Sequence, residues 1–244
     1  MTVINQETGT SLDEIAAGIY RISTPVPPNP ALQAGFSFNQ FLIAGDEPLL
    51  FHTGPRALFA PTLEAVRRVV APERLRYVGF SHVEGDECGS LREWLAVAPD
   101  AVPLCSRVAA MVYAADACER TPRALAHGER IDLGGHAVVW FDAPHVPHGW
   151  DCGYLGETTT RTLLCGDLFT QPGAENVPLT ERDVIGPSEA MRKHMDYFAH
   201  GPDTRVHLER LAAFEPRVLA CMHGSAYAGD GRAALLGLAD ALGA

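Results

Sequence analysis

Four stretches of this chain place metal-binding types of side chain directly after apolar runs. In S-H-V-E-G-D-E-C-G, His82, Glu84 and Asp86 stand at i, i+2 and i+4; His145 lies in A-P-H-V-P-H, Asp167 closes L-L-C-G-D, and His223 sits in A-C-M-H-G. Three imidazoles and three carboxylates make a hard, anionic donor set, better suited to iron or manganese than the imidazole-rich sets of zinc, although zinc stays open. A lone histidine beside a strand is more often packed or solvated than ligating. Here His, Glu and Asp share one short loop and the other three recur at strand ends, so each is held on rigid backbone and aimed at one rim. Gly85, Gly166 and Gly224 adjoin these residues, where close backbone approach or unusual dihedrals are expected. His148 follows His145 by three residues and competes with it; His145 directly follows its strand and is preferred, leaving His148 either a supporting or substrate-side place or simple exposure to solvent. His52, in L-L-F-H-T-G, is positioned to orient a ligand by hydrogen bonding. Trp150 and Tyr154 are read as core.

The elements that must position these residues are legible from apolar periodicity. Residues 18–24, 38–45 and 48–54 read as strands, with a proline-rich loop after the first. Leu58, Leu63, Val66, Val69 and Val70 recur at helical spacing, Pro72 stops that helix, and 75–80 form a strand feeding the His82 loop. The order then repeats: helix, short strand and helix, a strand at 136–142 ending before His145, two more ending at Asp167, two helices, a strand ending at His223 and a closing helix. The stretch F-T-Q-P-G-A-E-N-V-P-L-T-E-R-D-V-I-G-P has no periodicity and is long for a loop, so it is expected to be either a functional lid or disordered. Two batches of strands and helices predict an α/β (α+β) sandwich of two sheets with helices outside, as one domain over residues 1–244.

Composition excludes several function classes. Nineteen basic residues against thirty acidic ones give a net charge of −11, a field that repels nucleic acid. The densest basic group, Arg67, Arg68, Arg74 and Arg76, reads as a solvated helix face. There is no apolar run of roughly 18 residues for a membrane span and no signal-peptide start, so the expected location is cytoplasmic. Six cysteines without a C-x-x-C pair read as reduced thiols, with Cys165 and Cys221 buried in strands.

The order His-x-Glu-x-Asp, then His, then Asp, then His resembles the metallo-β-lactamase fold superfamily over nearly the whole chain, and H-V-E-G-D-E-C-G-S-L resembles its flavodiiron, oxygen-binding branch. The resemblance implies a four-layer αββα sandwich with two iron ions at one edge. One ion takes His82, Glu84 and His145, the other Asp86 and His223, and Asp167 bridges them. Three carboxylates then neutralise three of the four charges of two Fe(II) ions. The hydrolytic branch has histidine where Glu84 stands. The family's further histidine after the Asp, a ligand of the second metal, is replaced by Glu87; Glu87 either coordinates that metal in its place or, the favoured expectation, points into solvent and leaves the second metal open there.

The activity implied is binding or reduction of O₂ or NO, as oxidoreductase or sensor. No flavodoxin-like domain is expected beside the sandwich, so electrons must come from a separate donor. Pairing as a homodimer is a further implication of the family. The rival is a binuclear hydrolase of a lactone, thioester or phosphodiester, in which the metals would activate water.

Overall fold

The computed structural model describes residues 1–30 and 32–243. Its strands form two seven-stranded sheets. The first contains, in spatial order, β1 (Ser11–Ala16), β2 (Ile19–Val26), β3 (Phe36–Ile43), β4 (Leu49–Phe51), β5 (Tyr77–Gly79), β6 (Val102–Ser106) and β7 (Arg123–Leu125). It is antiparallel through β4 and parallel from β4 to β7. The second comprises β8 (Arg130–Asp132), β9 (Ala137–Asp142), β10 (Gly153–Glu157), β11 (Thr162–Leu164), β12 (Leu179–Thr180), β13 (Val218–Ala220) and β14 (Ala226–Ala228), ordered β12-β14-β13-β11-β10-β9-β8.

Alternation along the strands builds three apolar layers. Phe41 and Ile43 of β3 meet Val138 and Trp140 of β9, Leu155 and Leu164 in a core between the sheets. The intervening Leu42 faces the other way, onto Leu63, Val66, Leu91 and Trp94 of the helices Phe59–Arg67 and Leu91–Val97. On the far side, Val139 and Leu163 face Leu208, Leu211, Leu235 and Leu238 of the helices Thr204–Ala212 and Gly231–Ala241. Helix, sheet, sheet, helix is thus the αββα order expected, because each sheet is apolar on both faces and needs cover on both.

The differences from expectation lie in short or polar elements. Strands β1, β7, β8, β12 and β14 lacked a long enough apolar pattern to be read. The segment around residues 107–117 is helical but carries a π-helical turn, Ala110–Ala114. The first of the two helices expected between Asp167 and His223 runs from Ile185 to His194. Arg67, Arg68, Arg74 and Arg76 are exposed, and the six cysteines are free thiols. No helix among the described residues is long and apolar enough to cross a membrane.

Candidate metal centre

Three strand ends deliver the predicted residues to one rim. After β5 the chain passes through Ser81 and His82, and Glu84 caps a one-turn helix, Gly85–Cys88, that carries Asp86 and Glu87. After β11 the backbone turns at Gly166, φ 51°, where an added Cβ would stand 3.0 Å from the Tyr154 ring, and presents Asp167. After β13 it presents His223. There Gly224, at φ 96°, leaves no room for a Cβ against Gln171, and its carbonyl accepts from Arg21 Nη2 (2.8 Å) and Asn39 Nδ2 (2.9 Å). The special backbone expected at Gly85 is not found: that residue is helical with open space beside it.

The donor atoms fall into two groups, His82, Glu84, His148 and Asp167, and Asp86, Glu87 and His223. Glu84 Oε2 lies 3.1 Å from His82 Nε2 and 2.9 Å from His148 Nε2, and those two nitrogens are 3.0 Å apart. Asp167 Oδ2 is 3.4 Å from both nitrogens, while its other oxygen, Oδ1, is 3.2 Å from His223 Nε2. His223 Nε2 is also 3.3 Å from Asp86 Oδ2. Bonds of roughly 2.0–2.2 Å to one ion set neighbouring donors about 3.0 Å apart at a right angle and about 3.4 Å at a tetrahedral one. The observed separations fall in or beside that range, and the two oxygens of Asp167 face different groups, the arrangement a bridging carboxylate needs. Asp167 Oδ1 and both oxygens of Glu87 are buried without a hydrogen-bond partner among the described residues. These residues therefore fit a pair of cations.

Each imidazole is held by its rear nitrogen, so that Nε2 faces inward. His148 Nδ1 donates to the carbonyl of Tyr197 (2.8 Å) and His223 Nδ1 to that of Ser37 (2.9 Å); the Phe36 ring stacks on His223 at 4.2 Å. His82 Nδ1 is 2.9 Å from Ser81 Oγ, which lies 3.0 Å from Nε2 of the buried His52. Burial drives the His52 pKa down to about 3, so its ring is neutral. Without metal the pocket holds protons. Burial opposes charge on His223, but Asp167 and Asp86 raise it to about 10. Hydrogen bonds from His148 and His82 lower Glu84 to about 2. Burial, with Asp167 and Asp86 adding repulsion, lifts Glu87 well above the usual carboxylate range.

Five of the six predicted residues, His82, Glu84, Asp86, Asp167 and His223, meet at this rim. His145 does not: its side chain is exposed and His148 stands in the place expected of it. At His145 the backbone takes φ 64° and its N–H bonds to the carbonyl of Gly149 (2.8 Å). The loop so closed turns His145 outward and brings His148 back over His82. Glu87 also departs from expectation, since it is buried rather than solvated. Glu87 lies beside the buried Cys88, at the inner end of the short helix Gly85–Cys88. Tyr154 is core, whereas Trp150 is exposed. A small cavity of about 180 Å³ opens at the rim, lined also by Phe36, Thr170, Met191, Met195 and Tyr197, which no sequence motif marked. A larger one, about 590 Å³ and lined by Leu32, Pro172, Ala190 and His194 among others, shares Phe36, Met191 and Met195 with it.

The chain is similar in sequence and in fold to known proteins. A Thermosynechococcus vestitus protein named as a diflavin flavoprotein is 29% identical over 202 residues, covering 80% of this chain and 34% of its own length. The rubredoxin-oxygen oxidoreductase of Megalodesulfovibrio gigas is 24% identical over 208 residues, covering 80% of this chain and 50% of its own. Among solved structures, the metal-soaked Flv1 flavodiiron core of Synechocystis superposes with a TM-score of 0.80 at 21% identity, over 96% of this chain and 61% of the other. The chain thus spans only a third to a half of the two curated relatives. Residues 36–224, well over half of the sequence and including all seven donor residues gathered at the rim, match the ODP family of beta-lactamases, and the chain belongs to that family.

Proposed function

We propose that this chain is the di-iron domain of an oxidoreductase that reduces or binds O₂ or NO. Residues 1–244 are read as one domain, because the two sheets share a single core. The observation that carries the reading is the donor set, in which Glu84 supplies a carboxylate to the first position and Asp167 faces both. His82, Glu84 and His148 would hold one ion, Asp86 and His223 the other, with Asp167 between them. Two iron ions so held would supply electrons to a diatomic ligand, with manganese or zinc as the competing occupants. An added carboxylate favours the more highly charged, oxidised metal and weakens the Lewis acidity a hydrolase needs. The chain's own part is geometric and dielectric. Carbonyls of Tyr197 and Ser37 fix the imidazoles, while Phe36, Met191 and Met195 give the rim cavity an apolar wall that admits a small apolar molecule.

Three further readings rest on the same basis. Electrons would arrive from a flavin or rubredoxin-type donor, as the names of the relatives suggest. The expected compartment is the cytoplasm, and a homodimer is the expected assembly. Protein loaded anaerobically with Fe(II) is expected to bind about two ions per chain and to be oxidised on exposure to O₂ or NO, followed by absorbance and gas consumption. A reduced form inert to both gases, together with a zinc form that efficiently cleaves a lactone, thioester or phosphodiester, would establish the hydrolase instead.

A further inference from the structure

Glu87 lies at the rim beside Asp86 and His223. Its side chain is fully buried, both of its oxygens lack a hydrogen-bond partner among the described residues, and its donor atom lies within 4.8 Å of those of Asp86 and His223. Its backbone is pinned as well, since the Glu87 carbonyl accepts from Thr53 N at 2.7 Å. The side chain therefore leaves a fixed point on a buried turn. A buried carboxylate is tolerated when it is paired, hydrogen-bonded or bound to a metal, and here two of the nearest charged groups, Asp86 and Asp167, are themselves carboxylates.

The geometry points to Glu87 as a ligand of the second metal ion, an assignment that rests on the dinuclear reading above. Asp86, Glu87, His223 and Asp167 Oδ1 then surround that ion, as His82, Glu84, His148 and Asp167 Oδ2 surround the first. Glu84, Asp86, Glu87 and Asp167 together match the four charges of two divalent ions, so the ferrous pair is neutral within its protein ligands. The second position, with three carboxylates and one imidazole, is the harder of the two. It discriminates against zinc and in favour of iron or manganese, which makes Glu87 a determinant of metal selectivity.

The test compares wild type, Glu87→Gln and Glu87→His, each stripped with chelator and titrated anaerobically with Fe(II), Mn(II) and Zn(II). Stoichiometry is read by elemental analysis and affinity by calorimetry. Circular dichroism and thermal melting of the metal-free forms verify that each variant is folded. Wild type is expected to take up about two ions. Glu87→Gln keeps the shape and removes the charge; it should retain one tight ion and lose more than about 100-fold in affinity for the second, beyond the loss of roughly 10–100-fold typical of a supporting partner. Glu87→His should restore the second ion while shifting its preference toward zinc. If folded Glu87→Gln binds two ions as tightly as wild type, Glu87 is a neutral acid sharing a proton with Asp86; the ligand assignment then fails and the dinuclear reading stands. A wild type that takes up fewer than two ions overturns both.

Discussion

Glu157 and Glu87 are both buried carboxylates of the same chain, and their surroundings differ completely. Glu157 ends β10 at the far end of the second sheet, where the turn into β11 wraps around it. It accepts from the N–H groups of Thr159 (2.8 Å) and Thr160 (2.7 Å), from Thr160 Oγ1 (2.5 Å), and faces His136 Nδ1 at 3.1 Å. Burial works against its charge, but these donors prevail and its pKa is lowered. Glu87 and one oxygen of Asp167 have no such donors. A fold that satisfies one buried carboxylate with four contacts has the means to satisfy another. That it leaves the rim carboxylates facing one another and a set of Nε2 atoms marks the rim as built for a ligand the polypeptide does not supply.

The contrast is sharpest at Asp167, and the largest effect is expected there. Asp167→Ala should reduce bound metal from about two ions per chain to near none, measured by elemental analysis, because a single carboxylate serves both positions; a full complement in that variant would remove the bridge. Next, His148→Ala should lose one ion, whereas an unchanged metal content would return the first site to some other ligand.

Metal removal should then separate the two regions thermodynamically. Loading at a thousandfold excess over the dissociation constant stabilises the fold by about 4 kcal/mol per site, seen as a rise in melting temperature. Glu157→Gln should leave that increment and the metal content intact while lowering the stability of loaded and stripped protein alike by about 1–3 kcal/mol. Its pH dependence follows from the sign of the shift. The folded pKa of Glu157 lies below the unfolded value, so its contribution is present above the unfolded pKa and is lost as pH falls through the folded one. Acid melting curves should accordingly converge for wild type and Glu157→Gln. The smallest effect belongs to His145→Asn. Asparagine tolerates the positive φ, so metal content should be unchanged and stability should move by no more than about 0.5 kcal/mol.

The layered fold was readable because the longer strands alternate cleanly. Phe41, Leu42 and Ile43 assign themselves to opposite faces, and Leu63 and Val66 keep helical spacing. The strands that escaped notice, such as Arg123–Leu125 and Ala226–Ala228, span three residues each. Too short for a period, they exist because a neighbouring strand offers an unpaired edge. The stretch from Phe169 to Pro187, aperiodic in sequence, holds β12 and the first turn of the helix Ile185–His194, and its place in the wall of the site was not legible, since Thr170 and Pro172 border the two cavities only once the second sheet is in place.

The sequence by itself determined which chemical types arrive at strand ends: His82, Glu84, Asp86, Asp167 and His223 are ligand candidates because strand and turn residues adjoin them along the chain. Local spacing holds that information, since a strand exit is a property of a few consecutive residues. Only the tertiary structure decided which of His145 and His148 lies at the rim, and whether Glu87 is solvated or buried. Those choices depend on a left-handed residue that closes one loop onto Gly149, on a carbonyl of Tyr197 offered from about fifty residues away, and on a turn buried against Thr53. Direction and burial of a side chain are set by what packs around it, and the partners involved are distant in sequence.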